Sequence, residues 1–384
     1  MSTQNKKTSA PSTPKRVALG MSGGVDSSLA AHLLVEQGYD VTGVFLECWR
    51  APGCRSEEDR KDALAVALSL NIPFVVLDFK QAYRDRVVQY FFDEYKSGKT
   101  PNPDVLCNRE IKFGLFYDWA MEQGFNLVAT GHYAKIAKKD GKPALAIPKD
   151  TAKDQTYFLH LLRAEQLASI HFPLGELTKA EVRTEAEKRG IHVAKKKDSV
   201  GICFIGDINV HDFLRDELGE NPGKVVDSKG TVIGTHQGLW FYTIGQRHGF
   251  DIDKHTVVAH ADGSTSLKQN FPPYYVIAKQ AEKNQLVVGF GSETERSELL
   301  IEHMHWIQQP DLELPLMVRI RHTGQLLPSL VSERGKQLSV KLLTPTKGIA
   351  EGQSAVVYQI RANKHVICLG GGIMSLHQTK LRDS

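Results

Sequence analysis

Apolar residues follow two rhythms along this chain, and the change between them divides it. In the first half, short apolar runs alternate with segments of helical period. "RVALGM" (16–21) reads as a buried strand, followed by a glycine turn and a helix through "SLAAHLLVEQG" that stops at Gly38. "VTGVFLECW" (41–49) is a second strand, and Ser56 followed by Glu57, Glu58 and Asp59 marks a capped helix start. "IPFVVLDF" (72–79) is a third strand, "QAYRDRVVQYFFDEYKSG" (81–98) a helix stopped by Gly98, and "FNLVATGHY" (125–133) a fourth strand. "KIAKKDGKPALAI" (135–147) predicts a hairpin turning at Asp140-Gly141, and "TKAEVRTEAEKRG" (178–190) a surface helix. Strands alternating with helices predict an α/β fold with a doubly wound, mostly parallel sheet. Ligands in such sheets sit at the carboxyl ends of the strands, here Ser22 to Ser27, Leu46 to Trp49, and Gly131 with His132.

Beyond about residue 213 the period shortens to two. Glycines, aromatics and alternating runs such as "YYVIAKQ", "QLVVGF", "QLSVKLL" and "HVICLGGGI" predict a small β-rich middle domain and a C-terminal β-barrel. The expected borders are a disordered polar tail over 1–15, a catalytic domain over 16–212, the middle domain over 213–279 and the barrel over 280–376. A chain of 384 residues is too long for one ordinary core, which agrees with that division.

Composition changes the picture in two respects. The longest apolar runs fall short of a membrane span and the polar N-terminus lacks a secretory apolar stretch, so no membrane association is expected. Five scattered cysteines (48, 54, 107, 203 and 368) form no C-x-x-C pair; they fit a reducing cytoplasm and offer neither a zinc ribbon nor a disulfide framework. The net charge of +4 permits nucleic-acid binding without requiring it.

The first candidate chemistry is "SGGVDS" (22–27), which follows a strand and opens a helix, where amides and the helix dipole gather an anion. It lacks the lysine of a G-x-x-x-x-G-K-[ST] loop, so amides and hydroxyls would hold the phosphates. Asp26 would then bind a metal bridging the phosphates or hold the loop; in an ordinary glycine turn it would be a helix cap. The second is "TPNPDVLCNREIKFG" (100–114), in which the prolines fix an extended turn before a helix. That places Cys107 in a first helical turn, where thiolate is stabilised, with Asp104 as a proton carrier; otherwise Asp104 is a helix cap and Cys107 a packing residue. The third is "DSVGICFIG" (198–206), where Cys203 is either a core residue or a reagent. Lys195, Lys196 and Lys197 would supply positive potential or a solvated face, and Gly201 and Gly206 freedom to move. Cys48 and Cys368 read as packing residues; Cys54 has no assigned role.

Taken together, "GMSGGVDSS", "TPNPDVLCN", "ATGHY", "KDQTYFL", "KKKDSVGICFIG", "HQGLWFYTIGQRHG" and "CLGGGI" resemble the tRNA-specific 2-thiouridylase family of the PP-loop ATP pyrophosphatase superfamily, in order from about residue 16 to 374. The resemblance implies sulfuration of position 2 of the wobble uridine in tRNAs for Lys, Glu and Gln, after adenylation by ATP with Mg2+. It implies Cys107, Cys203 and Asp104 as catalytic residues, with the persulfide on Cys203. ATP would be held by Gly20, Met21, Ser22, Gly23, Gly24, Val25, Asp26, Ser27, Leu46 and Gly131, and no resident metal site is expected. Contacts with tRNA or its target base would come from Asn102, Pro103, Asp104, His132, Lys153, Asp154, Gln155, Arg321, His322 and Gln353, with Arg319 beside them on the barrel. The implied partners are the tRNA anticodon stem-loop and a persulfide relay protein or cysteine desulfurase, and the expected state is a monomer.

Overall fold

Five parallel strands form the first sheet: β1 (Arg16–Gly20), β2 (Asp40–Glu47), β3 (Phe74–Asp78), β4 (Leu127–Thr130) and, after the hairpin β5 (Lys135–Lys139) and β6 (Lys142–Ala146), the two-residue β7 (Ile170–His171). The computed structural model describes residues 14–50, 55–139, 141–198, 203, 209–253, 257–259, 265–267, 273–311, 313–361 and 365–376. Cys54, Asp140, Gly201, Gly206 and tail residues 1–13 lie outside them. The strand order is β3-β2-β1-β4-β7, so the direction of winding reverses between β1 and β4. Alternation along β1 serves both faces. Val17 and Leu19 pack with helix α1 (Val25–Glu36) and helix α2 (Ser56–Ser69), and Ala18 packs with the helices over 80–96 and 103–122. β7 is too short to have left an apolar signal in the sequence.

Local chemistry sets the helix ends. At helix Lys179–Lys188 a capping box forms, in which the Thr178 and Glu181 side chains each accept the other's backbone N–H. Ser56 does not cap as its sequence implies; it is the first helical residue of α2, and Arg55 takes the cap position with no side-chain bond. Asp59 of its acidic first turn pairs instead with Lys196.

The middle sheet has the order β10-β9-β8-β14-β13, from β8 (Gly223–Val226), β9 (Val232–His236), β10 (Asp251–Ile252), β13 (Tyr275–Gln280) and β14 (Gln285–Gly289). A separate hairpin pairs β11 (Val257–Ala259) with β12 (Thr265–Leu267). β14 lies between β8 and β13, so the middle sheet runs to Gly289 rather than ending at the expected border of 279.

The barrel closes six antiparallel strands: β15 (Glu295–Trp306), β16 (Leu316–Arg319), β17 (Leu327–Arg334), β18 (Gln337–Lys347), β19 (Ser354–Ile360) and β20 (Val366–Ser375). The hairpin β5–β6, expected within the first domain, instead extends this sheet through Ile367 of β20 opposite Ala146. It therefore fastens the barrel to the catalytic domain.

Candidate active site

The loop between β1 and α1 lies at the reversal point of the parallel sheet, where ligands of such folds bind. Gly23 has φ +71° and is packed so closely that a Cβ would lie 2.1 Å from the Asp59 carbonyl oxygen. Gly131, at the end of β4, approaches α1 from the other side; a Cβ there would lie 2.9 Å from the Ser27 nitrogen. Inside the loop the Ser22 N–H donates to Ser27 Oγ at 3.1 Å, and Ser28 Oγ donates to the Gly24 carbonyl at 2.8 Å. The N-cap of α1 is Gly24, with no side-chain cap, so Asp26 is not the cap.

Asp26 holds the loop. Lys179 Nζ donates to both its oxygens at 2.8 Å, and Tyr133 Oη donates to Oδ1 at 2.8 Å. Lys179 also pairs at 2.8 Å with Asp198, which is bonded to Lys153 and Arg183 as well. One chain of ion pairs therefore runs from the phosphate loop to Asp198, which stands five residues before Cys203 in the sequence. Lys196 locks the other side of the loop, donating to the Gly23 carbonyl at 3.0 Å and pairing with Asp59 and Asp62 of α2. Its charge is engaged there, while Lys195 and Lys197 are exposed.

The helix of the second motif starts at Pro103, with Asn102 Oδ1 accepting the Val105 N–H at 3.4 Å. Cys107 thus lies in the second turn rather than the first, away from the free amides of the helix end. From Cys107 to Leu115 the helix widens to π geometry before returning to α at Phe116. Two features fit that widening. A Cβ at Gly114 would lie 2.8 Å from the carbonyl oxygen of Arg109, and the buried Gln166 amide donates to the Phe113 carbonyl at 2.6 Å. π turns are rare and recur at functional sites, because i→i+5 bonding sets residue i+5 over residue i. Here that pair is Cys107 and Lys112.

The two cysteines meet. The Cys107 thiol donates to Cys203 Sγ at 3.5 Å, and both sulfurs are free. The Cys203 N–H donates to Asp104 Oδ1 at 3.0 Å, and Tyr83 Oη donates to the Cys203 carbonyl at 2.5 Å. Lys112 hydrogen-bonds to Cys203 as well. Burial pushes the Cys107 thiol well up, whereas the bond from Cys107, with Lys112 beside it, brings Cys203 down to about 7. The sequence placed the thiolate at Cys107; the structure places it at Cys203, because thiolate forms where donors converge, not where a helix begins. Burial raises the Asp104 carboxyl, against the Cys203 amide and Lys112, so it holds a proton more readily than an exposed aspartate. Lys112 is the residue that the sequence reading passed over, although it stood in the quoted motif five positions after Cys107.

Residues 15–207 match the family model described as tRNA methyl transferase HUP domain, 211–290 the tRNA methyl transferase PRC-barrel domain, and 296–374 the Aminomethyltransferase beta-barrel domain. The tRNA-specific 2-thiouridylase MnmA of Pseudomonas syringae pv. syringae (strain B728a) is 42% identical over 371 residues, 94% of each chain. The chain belongs to the tRNA-specific 2-thiouridylase family. The protein of the same description from Pediococcus pentosaceus is 42% identical over 97% of this chain and 96% of its own. As a member of this family the chain is a tRNA sulfurtransferase. Among solved structures, a 4-thiouridine synthetase–RNA complex with bound ATP covers 53% of this chain and 50% of its own at 17% identity, with a TM-score of 0.36.

The RNA-contact residues implied by the thiouridylase resemblance divide by exposure. Lys153 and Arg321 are exposed, and Asn102, Pro103, Gln155 and His322 partly so. His322 lies on the Phe158 ring, with centroids 4.2 Å apart. His132 is buried between Phe113 and Phe172, bonded to Thr130 Oγ1 at 2.7 Å, and burial holds it neutral. Asp154 is turned inward rather than toward RNA: it pairs at 2.5 Å with Arg319, which is buried and not exposed as its sequence setting implied. Gln353 donates to the Thr100 and Pro101 carbonyls, tying the barrel to the turn before Asp104. Cys48 and Cys368 are buried in strand-rich core.

Proposed function

We propose that this tRNA sulfurtransferase adenylates the position-2 oxygen of the wobble uridine in tRNAs for Lys, Glu and Gln, and replaces it with sulfur carried as a persulfide on Cys203. The observation that carries this reading is the Cys107–Cys203 contact at 3.5 Å beside the raised carboxyl of Asp104. A uridine oxygen leaves poorly, and transferring AMP to it from ATP converts it to a good leaving group. The terminal persulfide sulfur then attacks C2 and AMP departs. Cys107 attacks the Cys203 sulfur, which frees 2-thiouridine and leaves a Cys107–Cys203 disulfide that a dithiol reductant resets. Asp104 carries the proton that Cys107 must lose.

ATP is a substrate here, with its phosphates at the loop amides of Ser22 to Ser27 between the Gly23 and Gly131 approaches. Both oxygens of Asp26 are engaged by Lys179, and among the described residues no group of three or more His, Cys, Asp or Glu is placed to hold a metal. Magnesium would enter with the nucleotide and supply positive charge to its phosphates, while Asp26 holds the loop. The sulfur comes from a relay protein or a cysteine desulfurase, and the working unit is a cytoplasmic monomer. Among the described residues no helix is long and apolar enough to cross a membrane.

Incubation with ATP and unmodified tRNA is expected to yield AMP and pyrophosphate, and Asp26→Ala to stop their formation by releasing the loop. ADP and phosphate as products would refute the adenylation step. Asp104→Asn should lower thiolation by about 10²-fold, the usual scale for a positioned proton carrier, with little change in tRNA affinity. Full turnover by that variant would reduce Asp104 to a support for the Cys203 amide.

A further inference from the structure

One ammonium, that of Lys112, shares the reaction centre with five groups that can become anions. The helix over 103–122 contributes Asp104, Cys107 and Lys112; Tyr83 comes from the helix over 80–96, Cys48 follows the end of β2, and Cys203 is bonded to Asp104, Cys107 and Tyr83. His132 also lies within the field of Lys112 and stays neutral. No member of the lysine triplet at 195–197 competes for this role, since Lys196 is bound to Gly23, Asp59 and Asp62 and its neighbours are exposed.

We infer that Lys112 is a catalytic residue, its ammonium hydrogen-bonded to Cys203 and holding that sulfur as the nucleophilic anion. The π turn makes the contact possible. In an α-helix, residue i+5 is rotated about 140° from residue i. The π segment brings Lys112 back over Cys107, and so onto the sulfur that Cys107 touches at 3.5 Å. An anion largely withdrawn from water is costly unless a charge or a donor faces it, and the partly exposed Cys203 has both: Lys112 and the Cys107 thiol. Cys107, Cys48 and Tyr83, which burial dominates, stay protonated. Burial also disfavours a charged Lys112, but the facing sulfurs and Asp104 outweigh it and its pKa is raised.

The inference rests on the sulfur-transfer reading above and deepens it. The Cys203 thiolate attacks the outer sulfur of a donor persulfide, forming a Cys203 S–S bond as the donor S–S bond breaks. The electron pair leaves on the donor thiolate, so the exchange has no net oxidation. The new persulfide keeps a terminal anion, which Lys112 stabilises until it attacks C2.

The test is alkylation of Cys203 by iodoacetamide in the full chain, followed by peptide mass spectrometry between pH 5.5 and 9.5. The wild type is expected to show a midpoint near 7. Lys112→Met should raise it by about 1 to 2 units, slowing alkylation at pH 7 by about 5- to 50-fold. Lys112→Arg keeps the charge and should stay near wild type, which a merely structural role for the side chain does not predict. If the methionine variant aggregates, Lys112→Gln serves in its place with the same expected shift. An unmoved midpoint in a neutral variant overturns the inference. The readout needs neither tRNA nor a sulfur donor. A shifted midpoint therefore supports the Lys112 contact even where labelled sulfur fails to appear on Cys203, a failure that counts against the transfer reading alone.

Discussion

Cys203→Ser is expected to take up no labelled sulfur from a cysteine desulfurase system and to make no thiouridine, while Cys107→Ser should take up the label and still fail to turn over. A complete loss of thiolation in both variants, with opposite labelling, follows from the unequal environments of the two sulfurs. Cys203 is partly exposed and brought down to about 7, so it can meet a donor and attack it. Cys107 is fully buried and pushed up, so it waits behind Cys203 as the resolving thiol. Free sulfide at high concentration should restore some activity to Cys203→Ser, because it supplies the nucleophile without a carrier. Equal labelling of both variants, or full activity of either with the protein donor, would reverse the assignment of the sulfurs.

The largest effect on stability is expected at Asp154. Its carboxylate accepts the Thr156 N–H at 2.9 Å and the Thr156 hydroxyl at 2.7 Å, and it pairs with Arg319 of β16 at 2.5 Å. Arg319 in turn lies over the Tyr358 ring at 5.0 Å, and Tyr358 Oη lies 3.1 Å from Thr156 Oγ1. These bonds join the catalytic domain to two barrel strands where water is excluded, with 1% of the Asp154 side chain exposed. Asp154→Ala leaves a guanidinium buried without its counter-charge, which costs about 3–5 kcal/mol. Urea unfolding followed by a probe of the barrel should show the loss as a lower midpoint. Asp154→Leu combined with Arg319→Met removes both charges and should recover much of it, since an apolar pair of similar volume often replaces a buried ion pair at little cost. A double variant as unstable as Asp154→Ala would show that the Thr156 bonds, not the ion pair, hold the junction.

Much of the catalytic domain was legible in the sequence because its signals are local. A strand, two glycines and a helix start within ten residues specify a phosphate loop whatever surrounds them, and Gly23 and Gly131 occupy positions where a Cβ would collide with backbone. The four longer strands announced themselves as apolar runs. β7, two residues long, could not. The placement of hairpin β5–β6 was also hidden: its pattern predicts two paired strands, but not that the pair would extend a sheet whose other strands begin at residue 295.

The sequence by itself determined the residue types of the reaction centre: two cysteines in separate motifs, an aspartate three positions before the first, and a loop suited to phosphate. Only the tertiary structure decided which of them carry charge and where they point. Lys196 looked like a source of positive potential and became a clamp on the phosphate loop; Asp154 and Arg319 looked like a surface for RNA and became a buried tie. Cys203 became the thiolate because chain 96 positions apart brings the Cys107 thiol to it, and a π turn brings Lys112. Ionisation depends on burial and on charges within a few ångströms, and those distances are set by packing between segments remote in the sequence.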